Sequence, residues 1–143
     1  MKTVLQRVKK ASVTVENKII GSINTGLLIF VGISNNDSEK EINCFYDKIL
    51  NLRIFPDETG KFDKSILDIK GEILIVSQFT LYADCGRGRR PSFTDAAPPS
   101  IAEEIYKKFV EKFKTSNLKI EEGQFQAMME VSLVNDGPVT IIV

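Results

Sequence analysis

The sequence predicts an α+β fold, a single compact domain spanning residues 1–143, in which about seven strands in mixed-sheet, barrel-like layers pack with two main helices. Three observations lead to this prediction. Residues near the start alternate between apolar and polar, the segment 26–33 is continuously apolar, and two later segments carry apolar residues at helical spacing. A chain of 143 residues is also an ordinary length for one domain.

The first strands are predicted from their alternation and from turn residues. Residues 4–8 place their side chains alternately on two faces of an extended chain. Asn17-Lys18 is typical of a hairpin turn and leads into Ile19-Ile20. The run 26–33 is apolar throughout, which is typical of a strand buried on both faces.

Two helices are predicted from capping signals that precede apolar residues at helical spacing. Ser38 and Glu41 form a capping box, and we expect this helix to end near Leu52. Ser100 and Glu103, which follow two prolines, repeat the capping pattern. The predicted apolar stripe of the second helix consists of Ile101, Ile105, Phe109 and Phe113.

The later strands end at two unusual places. Residues 72–76 predict a second buried strand, which ends at Ser77, and a late strand starts near residues 118–120. Two further strand-like runs, 129–134 and 139–143, flank a Gly-Pro step. Because proline cannot donate a ladder hydrogen bond, this step predicts an edge, a bulge or a special turn.

The absence of histidine limits the possible mechanisms. With zero histidines, the chain cannot form the catalytic groups of a Ser-His-Asp or Cys-His hydrolase, and it has no imidazole base that titrates near neutral pH. Cys44 and Cys85 are far apart and in no metal-like spacing, so we expect free thiols. We expect neither a metal nor an organic cofactor.

Charge and hydropathy limit the partners. The chain has 19 basic and 19 acidic residues, a balance that disfavours coating of nucleic acid by bulk charge, and we expect no DNA partner. No apolar run approaches the roughly 18 residues that span a bilayer. No signal-peptide pattern opens the chain, so we expect a cytoplasmic protein without a membrane partner.

Ser77-Gln78-Phe79-Thr80 is the first candidate site. It follows a buried strand, where hydroxyls, an amide and backbone N–H groups emerge into a cleft and can face a developing oxyanion. From the residues alone, an ordinary strand-to-loop exit, in which serine and threonine satisfy local backbone groups, is the simpler interpretation. Thr80 has neither a histidine nor an N-terminal amine to activate it as a nucleophile, so we expect it to orient substrate or water.

These four residues together with Asn135-Asp136-Gly137-Pro138-Val139-Thr140 resemble the signature of the D-aminoacyl-tRNA deacylases, editing enzymes that free tRNA from D-amino acids. The resemblance extends from Gln6-Arg7-Val8 to Thr140 and implies that family's fold. It also implies that Ser77, Gln78, Phe79 and Thr80 are the catalytic residues. Catalysis is then expected to be assisted by the 2′-hydroxyl of the terminal adenosine, with no covalent intermediate.

The same resemblance implies a homodimer with composite active sites. The Gly137-Pro138 bond is cis in the family and reaches into the other subunit's site, where it rejects L-amino acids by their side chains. Asn135 and Thr140 are expected to support this motif through local hydrogen bonds. Glycine has no side chain to reject, so glycyl-tRNA mischarged on tRNA-Ala is a further expected substrate.

Further contacts are implied for the substrate and for the acceptor end of tRNA. Phe125 and Met129 are expected to line the aminoacyl or adenosine pocket, although core packing is the simpler interpretation of both. The family carries Phe-Gly-Ala where this chain has Gln126 at the centre, and glycine adopts conformations that glutamine resists. The basic loop residues Arg87, Arg89 and Arg90, with Arg7, are expected to contact tRNA phosphates.

Three alternatives stay open from the sequence. A small esterase would use Thr80 or Ser77 covalently. A non-catalytic tRNA- or protein-binding module would bind without turnover. A sibling deacylase with a trans Gly-Pro bond would clear a mischarged L-amino acid.

Overall fold

One long N-terminal strand organises the fold. The computed structural model describes residues 1–86 and 88–143, so the predicted contact of Arg87 lies outside the described residues. Strand β1 (Lys2–Val15) pairs in antiparallel fashion with three strands, β2 (Lys18–Ile23), β3 (Gly26–Gly32) and β8 (Glu130–Ile142). The remaining elements are α1 (Glu39–Asn51), β4 (Phe55–Pro56), β5 (Phe62–Lys64), β6 (Glu72–Ser77), a 3-10 helix (Phe79–Tyr82), α2 (Pro99–Lys114) and β7 (Ile120–Glu122).

The main sheet is mixed and nearly closes into a barrel. Its strand order is β2-β1-β3-β6-β7, with β8 on the other side of β1 and with parallel pairing of β6 to both β3 and β7. The two ends of the path approach each other, since a Cβ placed on Gly21 of β2 would lie 3.0 Å from the carbonyl oxygen of Glu122 in β7. The predicted α+β class is confirmed, with eight strands because β4 and β5 form a small separate ribbon.

The two central strands separate two apolar clusters. Leu27 and Ile29 of β3 pack with the helices on one face of the sheet. Leu28 of β3 and Leu74 of β6 pack with Val8 inside the barrel. The prediction that both strands are buried on two faces is therefore confirmed, and β6 leaves this core at Ser77.

The predicted capping box of α1 is confirmed, whereas that of α2 is wrong. Ser38 and Glu41 cap α1 reciprocally. Helix α2 begins at Pro99 with Pro98 as its N-cap, which leaves Ser100 inside the first turn. Proline suits the first helical position because its φ is fixed and its missing N–H has no intrahelical partner there.

The apolar stripe of α2 also differs from the prediction at its first residue. Ile105, Phe109 and Phe113 are buried, but Ile101 is 45% exposed.

In the described ranges 1–86 and 88–143, no helix combines the length and the apolar character needed to cross a membrane.

The first hairpin turns one residue earlier than predicted. Glu16 and Asn17 have φ values of 48° and 63°, and Lys18 already pairs with Val15. Two left-handed residues in a two-residue loop are typical of the type I′ hairpin, whose twist matches that of the flanking strands. The twist of the sheet therefore places the turn at Glu16-Asn17.

We expect Gly26→Ala to destabilise the protein by about 3 kcal/mol or more, because the added Cβ cannot be accommodated by side-chain movement. It would lie 1.8 Å from the backbone carbonyl oxygen of Glu72, the partner of Gly26 in the parallel ladder. Urea denaturation measures the loss. Gly60→Ala is the control for backbone strain without a clash, since Gly60 has a φ of 82° and its Cβ meets no described atom within 4 Å; we expect it to cost about 1 kcal/mol. A loss at Gly26 no larger than at Gly60 would contradict the clash.

Candidate functional site

A cleft of about 990 Å³ opens where β6 leaves the core. One wall is formed by β3 and the segment Ser77–Phe79, another by Phe93, residues 96–99 and α2, and a third by the turn Phe125–Met129. Among the described residues that line it, none is an Asp, Glu, Lys, Arg, Cys or Tyr. The cleft therefore offers hydrogen bonds and apolar contacts, while a protein acid or base is missing from its described lining.

The end of β6 is fixed by its parallel neighbour. The N–H of Gln78 donates to the carbonyl oxygen of Val31 in β3 at 2.8 Å, after which the chain turns into the 3-10 helix. The Nε2 of Gln78 donates to Oγ1 of Thr80 at 2.5 Å. Ser77, Gln78 and Phe79 line the cleft, whereas Thr80 is exposed outside the described lining.

The turn opposite Ser77 is tied to β6 by backbone and side-chain contacts. The N–H of Gly123 donates to the carbonyl oxygen of Ile75 at 2.8 Å, and the buried hydroxyl of Tyr106 donates to the same oxygen at 2.9 Å. The ring of Phe125 lies 5.8 Å from that of Tyr106. Phe125 and Met129 both line the cleft.

The Gly-Pro segment lies in a wide bulge of β8, and the two C-terminal strands predicted on either side of it are one strand. Gln6 pairs with Thr140 and Val8 with Asn135, so that residues 136–139 stand opposite the single residue Arg7. Pairing with β1 resumes on both sides, which keeps β8 continuous. The peptide bond between Gly137 and Pro138 is cis.

Side chains hold this bulge at both ends. The Oδ1 of Asn135 accepts from the N–H of Val139 at 2.7 Å, and its Nδ2 donates to Oγ1 of Thr140 at 3.2 Å. Gly137 has a φ of 140°, and a Cβ there would lie 2.7 Å from Cγ2 of Val139. Gly137 and Pro138 are exposed, and neither belongs to the described lining of the cleft in the same subunit.

Arg7 is buried beneath the bulge and bonded to its backbone, so the expected contact of this side chain with tRNA is corrected. It is 7% exposed, and its Nε donates to the carbonyl oxygen of Asp136 at 2.9 Å. Its Nη1 donates to the carbonyl oxygen of Ile54 at 2.5 Å. A guanidinium that is buried and engaged in this way is not available to a phosphate.

The basic loop lies on the surface beside the 3-10 helix. Its base is closed by two backbone hydrogen bonds between Asp84 and Ser92, of 2.8 and 3.0 Å. Arg89 and Arg90 are exposed at its tip. This placement leaves both side chains free to reach an anionic partner.

The family model described as D-Tyr-tRNA(Tyr) deacylase matches residues 4–143. This chain belongs to that family. The match confirms the family inferred from residues 77–80 and 135–140, and with it the prediction of an ester hydrolase.

Relatives of this deacylase-family chain match it over its full length. The D-aminoacyl-tRNA deacylase of Aquifex aeolicus is 59% identical over 143 residues, which are 100% of this chain and 97% of the relative. That of Thermosipho africanus is 56% identical over 142 residues, which are 99% of this chain and 95% of the relative.

Two solved structures share the fold. One, described as a c-Myc DNA unwinding element binding protein, has a TM-score of 0.95 and 46% identity, covering 100% of this chain and 97% of the other. A probable eukaryotic D-amino acid tRNA deacylase has a TM-score of 0.87 and 16% identity, covering 99% and 97%, and supports the fold alone.

Tyr106 is a site-supporting residue that the sequence does not reveal in this deacylase-family chain. It follows Ile105 on the buried face of α2, where a tyrosine is indistinguishable from ordinary core. Burial raises the pKa of its hydroxyl well above the usual 10.0, and the nearby carboxylate of Glu122 adds to the shift. The phenol therefore stays a hydrogen-bond donor at every physiological pH.

We expect Tyr106→Phe to cost about 1–2 kcal/mol near neutral pH, because a buried hydrogen bond is lost. The folded pKa is raised, so this contribution is complete below the unfolded value of 10.0 and declines above it. The difference between wild type and variant should shrink by up to about 1.4 kcal/mol per pH unit above pH 10. Denaturant midpoints across pH measure it.

Tyr46→Phe is the matched control for that experiment, since the hydroxyl of Tyr46 meets Thr115 at an exposed site. It should change stability by less than about 0.5 kcal/mol. Equal losses for the two tyrosines would show that the Tyr106 hydroxyl does not tie the turn to β6.

Proposed function

We propose that this chain is a D-aminoacyl-tRNA deacylase, a cytoplasmic homodimer that hydrolyses the ester between a D-amino acid and the terminal adenosine of tRNA. The observation that carries the proposal is the cleft at the end of β6. It brings Ser77, Gln78 and Phe79 of the family signature against Phe125 and Met129, in a lining whose described residues carry no ionisable side chain.

The absence of ionisable groups from the described lining favours catalysis by positioning. An aminoacyl ester is already reactive, and orientation of the reactants lowers a barrier by roughly 7–11 kcal/mol in favourable cases. The first N–H groups of a helix have no intrahelical partner, so those at Phe79 and Thr80 are the candidates for stabilising the oxyanion. The 2′-hydroxyl of the adenosine then assists the attacking water in place of the ionisable side chain that is missing from the described lining.

Chiral selection is assigned to the backbone of the β8 bulge. Gly137 and Pro138 are exposed, lie in a bulge that Asn135 and Arg7 hold by hydrogen bonds, and are outside the described cleft lining of their own subunit. Seated in the partner's cleft, this backbone would collide with the side chain of an L-amino acid and leave room for a D-amino acid. Such a wall rejects by sterics alone, so it accepts many D-amino acids and also glycine, including glycyl-tRNA mischarged on tRNA-Ala.

The basic loop supplies contacts to the acceptor end of tRNA. Arg89 and Arg90 are exposed on it, and arginine forms bidentate hydrogen bonds with phosphate. Two guanidinium groups beside the cleft would orient the 3′ end without reading its sequence. Arg87 belongs to the same loop in the sequence.

We expect single-turnover hydrolysis of D-tyrosyl-tRNA to be faster than that of L-tyrosyl-tRNA by about two orders of magnitude or more. The reaction is run with excess purified protein and a metal chelator, and release of the amino acid is followed. Equal rates would favour the sibling deacylase or a generic esterase. Binding of tRNA without release from either substrate would favour the non-catalytic module.

The role of Thr80 is tested by comparing a protein variant with an altered RNA. We expect Thr80→Val to slow single-turnover hydrolysis by no more than about tenfold, since Thr80 orients the site through Gln78. A substrate ending in 2′-deoxyadenosine should react about 100-fold more slowly or worse, because the assisting hydroxyl is gone. Loss of all activity in Thr80→Val, with the 2′-deoxy substrate unaffected, would establish the covalent esterase instead.

A further inference from the structure

Gln126 adopts a backbone conformation that favours a residue without a Cβ. It is the third residue of the turn Gln124–Ala127, which is closed by a hydrogen bond of 3.2 Å from the N–H of Ala127 to the carbonyl oxygen of Gln124. Its φ is 61°, in the left-handed region. A positive φ at the third position defines the type II turn, where glycine or asparagine is preferred. Glutamine here costs free energy that glycine would not.

No hydrogen bond of the Gln126 side chain within the described part of the chain offsets this cost. The residue is exposed, and its carboxamide makes no hydrogen bond within the described part of the chain. The other left-handed residues that are not glycine lie outside the described lining of the cleft, so Gln126 is the one that faces it. Backbone strain of this kind concentrates where a ligand is held.

The Gln126 carboxamide is also a polar side chain of the cleft that makes no hydrogen bond within the described part of the chain. Within the described lining, only Ser77, Gln78 and Gln126 carry polar side-chain atoms. The amide nitrogen of Gln78 already donates to Thr80. At the same cleft, the rings of Phe79 and Phe93 lie edge to face at 5.0 Å, and Phe79 is 57% exposed. Exposed aromatic faces of this kind stack nucleobases.

We infer that Gln126 hydrogen-bonds the N6/N7 edge of the terminal adenine of the substrate while that base stacks at Phe79. A carboxamide both donates and accepts, so it matches adenine, whose N7 accepts and whose N6 amino group donates. The inference rests on the proposed function and adds to it a residue that selects the base of the 3′ nucleotide. The aminoacyl group then lies toward the end of β6, where its side chain needs no specific contact.

The test varies the base and the residue together. D-tyrosyl-tRNA ending in adenosine is compared with the same tRNA ending in 7-deazaadenosine, which lacks the N7 acceptor. Each is titrated against wild type, Gln126→Gly and Gln124→Ala in single turnover, giving a half-saturating protein concentration and a maximal rate. Gln124 belongs to the same turn but lies outside the described lining, so Gln124→Ala is the matched control.

We expect Gln126→Gly to raise the half-saturating concentration about tenfold with an unchanged maximal rate, because both hydrogen bonds to the base are lost. The 7-deaza substrate should raise it about fivefold for wild type and for Gln124→Ala, and not at all for Gln126→Gly. Gln126→Gly should also melt at a higher temperature than wild type, since it relieves the turn. A higher melting temperature excludes unfolding as the cause of weaker binding.

Two results would overturn the inference. One is a stabilised Gln126→Gly protein with the half-saturating concentration of wild type. The other is a 7-deaza effect that persists at full size in Gln126→Gly. Failure of wild type to hydrolyse the natural substrate would instead reject the proposed function. Equilibrium binding of the two uncharged tRNAs to the three proteins would then test Gln126, because the same fold-changes are expected in the dissociation constant.

Discussion

The buried guanidinium of Arg7 is the interaction on which the unusual part of this fold depends. It lies on β1 and contacts three other places in the chain: it donates to the carbonyl oxygens of Ile54 and Asp136, and the ring of Phe62 lies 5.2 Å away. The carboxylate of Asp136 approaches its Nε at 3.3 Å. A buried cation without such partners is strongly destabilising, so the bulge and Arg7 require each other. The exposed Gly-Pro backbone is therefore a fixed surface.

The second constraint is the parallel pairing of β3 with β6. It aligns Val31 with Ser77, so that the strand emerges from two apolar clusters at the cleft. The rest of the wall is attached to the same strand through Ile75, which accepts from both Gly123 and Tyr106. Cleft and bulge are thus each rigid, yet they occupy different places on one subunit. In the homodimer proposed above, a second copy of the chain would bring them together.

The sequence predicted those elements that depend on residues close together in the chain. The capping box at Ser38 and the two buried strands were readable because side chains three residues apart and continuous apolar runs determine them. The same capping pattern failed at Ser100, where Pro99 takes the first helical position. The approach of residues 77–79 to residues 125–129 was implied by the family resemblance and had no signal in spacing.

What could not be predicted depends on tertiary contacts. The bulge arises from how β8 pairs with β1 on both sides of Arg7. The register between two strands cannot be inferred from the sequence of one of them. A charged residue in a strand ordinarily lies on the surface, and nothing in the sequence around Arg7 indicates that the bulge buries it. The sequence shows that Gln126 replaces the family's glycine, but it does not show what backbone conformation the glutamine adopts. The backbone keeps a left-handed turn and accepts the glutamine.

Deacylation by mixed dimers tests most directly whether the active site is built from two subunits. Gly137→Ala adds a Cβ to the wall that would close the partner's cleft, where it should obstruct a D-amino acid as well, and Ala127→Trp fills the cleft, so each homodimer should be inactive. Refolding the two variants together in equal amounts should restore about a quarter of the wild-type activity, because half of the dimers then hold one intact site of two. Sedimentation confirms that dimers form. Mixed dimers with no more activity than either variant would contradict a site shared between subunits.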